Sequence, residues 1–186
     1  MEVLDAIRNR RAVREFTDAA IDRKIVARLI DIAIQAPSAM NLQPWAFAVL
    51  LDRNRIADLD ARAKRWLLDN FSRTGFDLSL RTMLEDPAHL IFYRAPALVL
   101  ILAKSADPQC AQDCCLAAEN FMLAARNEEL GTCWIGISRP WLNMSAVKAE
   151  LEVPEDYDVI APIVLGYPKA WPESQGRQPA EIHWLA

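Results

Sequence analysis

Four arginines crowd the beginning of this 186-residue chain: Arg8, Arg10, Arg11 and Arg14, in the run RNRRAVREF. Guanidinium forks suit bidentate binding of phosphate. Arg10 and Arg14 lie four apart, so a helical or turn conformation puts them on one face. The plainer alternative is a solvated helix end with ion pairs to Asp5 or Glu15. A second stretch, APSAMNLQPWAF from Ala36 to Phe47, sets Ser38, Asn41 and Gln43 between Pro37 and Pro44. Ser38 and Asn41 can bond their own turn backbone, or the stretch can hold a ligand on a backbone that the prolines have already stiffened. A third, GTCWIGI, flanks Trp134 and Ile135 with Gly131 and Gly136. Glycines there serve a packed core strand, or let backbone approach a planar ring.

Other chemistries lack their residues. The five glycines form neither GxGxxG nor GxxxxGK[ST], so the backbone cradle of a nucleotide fold is missing. There is no GxSxG elbow, and His89 and His183 stand far apart, which leaves a Ser-His-Asp arrangement little to work with. Cys110, Cys114, Cys115 and Cys133 contain no CxxC pair, which argues against a zinc site. Three of them crowd one predicted helix, poor geometry for a disulfide framework, so they read as buried small hydrophobes in a reducing compartment. A net charge of −4 speaks against a nucleic-acid binder. The longest apolar run, Ala97 to Ala103, is far short of the ~20 residues of a membrane helix. With no signal-like segment, the expected location is the cytoplasm.

The elements that must carry these residues follow from periodicity. Val3, Leu4 and Ile7 have helical spacing, and Val13 and Phe16 look like anchors of an extended stretch after that helix. Asp22 can cap a second helix with a stripe at Ile25, Leu29, Ile32, Ala33 and Ala36, stopped by Pro37. WAFAVLL reads as a buried strand, and Asp52 can cap a helix to about Leu68. From Asn70 to Glu85 the pattern predicts short helices and loops. Leu98 to Leu102 shows no alternation, as in a strand buried on both faces. Residues from about Ala111 to Glu129 predict a long helix, apolar nearly all round, for a core or a subunit interface. GTCWIGI, Ser145 to Leu151 and VIAPIVLG give a strand, a short helix and a strand, with Pro162 hinting at an edge or a bulge. No repeat or second core appears, so one domain spans 1–186, with an aromatic tail from Tyr167 that lies on its own surface or a partner's.

Taken in order, RNRRAVREF, APSAMNLQPWAF, LGTCWIG and VLGYPKAWP followed by Arg177 resemble the nitroreductase family, over nearly the whole chain. The resemblance implies an α+β fold, helices around a mixed, mainly antiparallel sheet. It also implies an intertwined homodimer that binds FMN at its interface, with the tail of about residues 167–186 wrapping the partner subunit. Arg10 and Arg11 match the basic pair at the FMN phosphate and ribityl, and Arg14 the position at the flavin's pyrimidine edge. Pro37, Ser38, Ala39 and Asn41 match a loop that contacts FMN from the other subunit. Ile135 and Gly136 match the strand end beside the isoalloxazine, and Arg177 a late arginine on the phosphate. Asn70 and Arg81 are candidates for mid-chain polar contacts.

Two positions depart from the family pattern. Ala12 stands where many members have a serine, and Gln175 where some have a second basic residue; each lost hydrogen bond costs about 0.5–3 kcal/mol. The implied activity is two-step electron transfer from NADH or NADPH, through the flavin, to a nitroaromatic, quinone or similar acceptor, with Arg14 stabilising negative charge on the reduced cofactor. No side chain is assigned as an obligate acid or base. A flavin-sequestering dimer without useful turnover, and a reductase of an activated alkene or small aldehyde, remain as alternatives.

Overall fold

The computed structural model describes residues 2–185. In chain order its elements are α1 (Val3–Asn9), α2 (Arg23–Ala33), β1 (Trp45–Leu50), α3 (Arg53–Asp69), α4 (Phe71–Thr74), α5 (Leu78–Glu85), β2 (Ala97–Ala103), α6 (Pro108–Asn127), β3 (Gly131–Trp134), α7 (Arg139–Leu142), α8 (Ser145–Glu150) and β4 (Asp158–Gly166). Short 3-10 turns occupy Ala39–Asn41 and Gly136–Ser138. The longer helices start where acidic caps satisfy their free N–H groups. Asp22 accepts from Lys24 N at 2.7 Å, Asp52 from Asn54 N at 2.9 Å, and Asp107 from Gln109 N at 2.9 Å.

The strands run in the order β1-β2-β4-β3, each neighbouring pair antiparallel. An isolated parallel bridge links Ala12 to Thr132 beside β3, while the four-stranded sheet itself is antiparallel throughout rather than mixed. Strand β2 is buried along its whole length, as its unbroken apolar run predicts. Its residues alternate between two cores, because successive side chains of a strand point to opposite faces. Leu98, Leu100 and Leu102 pack with Leu59 and Leu67 of α3. Ala97, Val99 and Ile101 pack with Leu29 of α2 and Phe121 of α6. Each fully buried leucine or isoleucine contributes about 1.5–3 kcal/mol.

Three expectations change in detail, and of the two readings of Pro162 the structure takes the bulge. Strand β1 is an edge of the sheet and only partly covered, with Val49 41% exposed. On α2 the buried stripe is Val26, Leu29 and Ala33, while Ile32 faces outward; α6 covers a face rotated from the predicted one. Pro162 sits in β4 between two neighbours and not at an edge. A register shift lies beside it: Ile101 pairs with Ala161 and Leu102 with Val159, leaving Ile160 as the extra residue of a bulge. On α6, Cys114, Ala117, Ala118 and Phe121 are buried, but Leu116 and Cys115 are exposed, so an apolar strip stays uncovered in one chain. Among the described residues no helix is long and apolar enough to cross a membrane.

Two buried charged side chains tie loops to helices. Lys148 donates from Nζ to the carbonyls of Glu155 and Tyr157. Asp60 of α3, 3% exposed, accepts from Phe92 N through Oδ1, and its Oδ2 has no partner. Burial pushes the Asp60 carboxyl above the usual range, against the pull of the Phe92 N–H and of nearby Lys64 and His89. The native state therefore keeps this proton to higher pH than the unfolded chain, so stability falls as pH rises from the unfolded value, about 4, through the folded one. Asp60→Asn keeps the acceptor for Phe92 N and removes the charge. It should melt above the wild type at pH 7, with the gap closing below about pH 4; thermal melts at the two pH values check this.

Candidate functional site

Arginine needs a backbone to aim it, and here a long-range pairing supplies one. The chain leaves α1 at Arg10 in an extended conformation. Ala12 then bridges Thr132, and Val13 N donates to Thr132 O at 2.9 Å. Val13 is fully buried, and it rests on Gly131, where an added Cβ would stand 2.7 Å from the Val13 Cβ. Phe16 closes the segment, bridging Pro168 and lying over Gly166. Because the Ala12–Thr132 pairing is parallel, Arg14 comes abreast of Trp134 in register, on the way to Ile135 and Gly136.

The side chains along this segment have distinct surroundings. Arg10 Nε lies 3.5 Å from Glu119 of α6. Arg11 donates from Nη1 to the carbonyls of Arg8 and Arg10, both at 2.8 Å, closing the end of α1; its buried Nε has no partner. The Arg14 guanidinium is exposed and stands 5.9 Å from the centroid of the Tyr93 ring. Burial pushes the thiol of Cys133 up, and the charges of Arg14 and Arg10 oppose that push. Arg126, which no sequence pattern singled out, joins from the last turn of α6. It donates to Asn9 O at 3.2 Å, stacks 3.8 Å from the Trp171 ring centroid, and has a buried Nη1 without a partner. An arginine at a helix end carries no local sign of a partner more than a hundred residues away.

At the strand end Ile135 is buried, and its N–H donates to Pro162 O at 2.7 Å. Gly136 is exposed, and a Cβ added there would meet open space. The structure therefore brings Arg10, Arg11, Arg14, Ile135 and Gly136 to one edge of the sheet.

The loop after α2 is built by its own hydrogen bonds. Ser38 Oγ accepts from Gln43 N at 3.0 Å, and Asn41 Oδ1 from Gln43 Nε2 at 3.1 Å. Met40, Asn41 and Gln43 take left-handed backbone angles, φ 50°, 55° and 48°. Buried Asp113 of α6 accepts from Ala39 N at 3.2 Å and from Gln109 Nε2 at 3.1 Å, fixing the loop to the helix. Asp113 was another residue without a sequence signal, since an acidic residue inside an amphipathic helix ordinarily faces water. Pro37 and Asn41 are exposed, and Ser38 and Ala39 partly so.

Within one chain this loop does not meet the arginines. Along α6, at 1.5 Å per residue, Asp113 beside the loop is about 9 Å from Glu119, which meets Arg10, and about 20 Å from Arg126 beside the end of α1. Arg177 lies in the exposed tail, where its Nη1 donates to Gly176 O at 3.0 Å. Asn70 bonds Trp66 O at 2.9 Å, and Arg81 pairs with Glu85 at 2.9 Å; both have structural partners away from the arginine segment. The hollow beside Arg14, lined by Ala12, Glu15, Trp171 and Pro172, measures about 250 Å³. Larger hollows, of about 740 Å³ between α2 and β1 and about 640 Å³ among α1, α2 and α6, lie elsewhere.

Residues 7–167 match the family model described as "Nitroreductase family". The chain belongs to the nitroreductase family. A relative from Archaeoglobus fulgidus, provisionally named NADH dehydrogenase/NAD(P)H nitroreductase, is 31% identical over 90% of this chain and 86% of its own. A 5,6-dimethylbenzimidazole synthase of Rhodospirillum rubrum is 30% identical over 86% of this chain and 79% of its own. The crystal structure of a Bacteroides fragilis nitroreductase with bound FMN superimposes over the whole of both chains, with a TM-score of 0.84 at 26% identity. The α+β architecture described above is thus the nitroreductase fold.

The cysteines hold to the simple expectation in three cases out of four: Cys110, Cys114 and Cys133 are buried and Cys115 is exposed. Burial lifts the Cys114 thiol to about 12, which removes it as a nucleophile near neutral pH.

Proposed function

We propose that this chain is an FMN-dependent oxidoreductase that works as a homodimer, taking electrons from NADH or NADPH and passing them to a nitroaromatic, quinone or similar small acceptor. The observation that carries the proposal is the parallel pairing of Ala12 with Thr132, which lays the arginine segment beside the strand that ends at open Gly136. The name of the Archaeoglobus fulgidus relative and the FMN of the Bacteroides fragilis structure support it.

The residues present fit FMN on their own chemistry. A buried Arg11 Nε without a partner, an exposed Arg14 and a half-buried Arg10 provide donors for an anion. The bare backbone at Gly136 leaves room for a flat ring. Arg10 and Arg11 would hold the phosphate end, Arg14 the pyrimidine edge, and Ile135 and Gly136 the ring. Bound FMN would supply hydride acceptance from the nicotinamide and electron delivery to the acceptor. The protein's part is to orient both partners and to set the local charge. Arg14 places a positive charge where reduction adds a negative one, a contact worth up to about 4 kcal/mol at an effective dielectric of ~20 and ~4 Å.

A second copy of the chain would complete the site. The hollow beside Arg14 in one chain, about 250 Å³, is below the roughly 300–1,000 Å³ of ordinary ligand pockets. It also leaves the Pro37–Asn41 loop, the outer strip of α6 and the aromatic tail, with Trp184 88% exposed, without cover. In the dimer the loop, through Pro37, Ser38, Ala39 and Asn41, would reach the partner's cofactor, and the tail carrying Arg177 would embrace the partner.

The test is a visible absorption spectrum of the purified protein before and after anaerobic addition of NADH or NADPH, with the mass in solution measured alongside. A flavin spectrum that bleaches in a dimer is expected. A protein that carries no flavin and binds no added FMN defeats the assignment.

A further inference from the structure

Tyr93 stands in a conformation that needs explaining. It and Arg94 both have left-handed backbone angles, φ 54° and 52°, and neither is glycine, asparagine or aspartate. Bulky side chains adopt that region at a cost in backbone energy, so the surroundings must impose it. They do so from three sides. Buried Asp60 accepts from Phe92 N at 2.5 Å, immediately before the pair. Ala95 N returns to Phe92 O at 3.0 Å, and Phe92 and Ala95 are buried at 0% and 1% exposure. The His89 ring meets the Tyr93 ring edge-on, with centroids 5.9 Å apart, and Lys64 Nζ holds the His89 carbonyl at 2.8 Å.

The product of this construction is a half-buried aromatic ring beneath an arginine. The Arg14 guanidinium lies 5.9 Å from the Tyr93 centroid, within the range of a cation–π contact. An arginine side chain exposed to water samples many rotamers, and a ring under its guanidinium reduces that freedom. Nothing in the sequence around FYRAP signals this, because α3, the 86–95 loop and the arginine segment meet only in the folded chain.

We propose that Tyr93 is a positioning residue for Arg14: the loop anchored by Asp60 presents the ring that holds the guanidinium in place toward the cofactor. The proposal rests on the assignment of Arg14 to the flavin's pyrimidine edge and adds the device that fixes it there. It also gives residues 86–95 a part in tuning the cofactor.

The readout is the affinity for reduced FMN relative to oxidised FMN, measured as the shift of the two-electron midpoint potential on binding. Tyr93→Asn and Tyr93→Gly both remove the ring while suiting a left-handed backbone. Each should lower the ratio about three- to tenfold, the size of a partly desolvated cation–π contact; tenfold is about 30 mV toward more negative potential. Tyr93→Phe keeps the ring and should stay within about twofold of wild type. Added to Arg14→Ala, either ring-removing change should have no further effect, because the group it positions is gone. The inference alone fails if Arg14→Ala lowers the ratio and Tyr93→Asn and Tyr93→Gly leave it at the wild-type value. If Arg14→Ala itself leaves the ratio unchanged, or wild type binds no FMN, the assignment of Arg14 falls and the inference with it.

Discussion

Gly131→Val yields a protein that folds with reduced stability and no longer retains FMN. The Cβ introduced by the substitution would stand 2.7 Å from the Cβ of Val13, and its methyl groups add further bulk. Val13 cannot swing aside, since its own Cβ is in the collision and its side chain is fully buried. The arginine segment must therefore move off β3, stretching the bond from Val13 N to Thr132 O. Overpacking of this kind costs about 1–3 kcal/mol, or roughly 2–12 °C in melting temperature for a chain of this size. Cofactor binding should suffer more, because Arg14 follows the displaced residue and Arg11 lies two residues before it. A loss of tenfold or more in FMN affinity is expected by fluorescence titration. The control is Phe121→Ala. It removes a fully buried ring from the α6 core at a cost of about 3–5 kcal/mol, yet leaves the arginine segment alone. Below its melting temperature it should bind FMN nearly as wild type does. Should Gly131→Val bind FMN with wild-type affinity, the segment on β3 is not the cofactor site.

Arg14→Ala retains FMN and binds the reduced cofactor less well than wild type. The side chain is exposed in the chain, so its removal leaves no cavity and stability should change little. On the proposed assignment, what disappears is a positive charge beside the ring where reduction would place a negative one. A fully screened surface contact gives under 1 kcal/mol and a partly buried one up to about 4. An intermediate figure, about 1–2 kcal/mol, corresponds to roughly five- to thirtyfold in the ratio of affinities for reduced and oxidised FMN. The potential of bound FMN should fall accordingly, and hydride transfer from NADH or NADPH should slow. Stopped-flow reduction at saturating nicotinamide measures the second effect. Arg14→Lys should recover part of both, since it restores the charge without the fork. An unchanged reduction rate and potential in Arg14→Ala would remove the role assigned to this residue.

Both predictions depend on structure that the sequence expresses very unevenly. Local signals were faithful. Asp22 and Asp52 cap the helices they precede, and the prediction of a strand buried on both faces held from Leu98 to Leu102. Val13 and Phe16 are buried anchors, as their spacing after α1 implied. Such features depend on a residue and its close neighbours, so the chain states them directly. The rotation of α2 about its own axis was less legible. Ile25, Leu29, Ile32 and Ala33 fit a helical stripe as well as Val26, Leu29 and Ala33 do, and only the position of α6 chooses between them.

The motifs follow the same division. The sequence by itself determined the family, the supply of arginines, and the stiff loop with its polar side chains, because those are matters of residue type and order. Only the tertiary structure decided which arginines lie together beside β3. The pairing of Ala12 with Thr132 joins residues far apart in the chain, and it brings the arginine segment alongside β3. The partnership of Asp113 with Ala39, the stacking of Arg126 on Trp171, and the seat that Asp60 makes for the Tyr93 loop are likewise contacts between distant segments. No short window of residues contains both partners of such a contact. Its stability comes from burial and hydrogen bonds that exist only once the sheet has brought the two segments together.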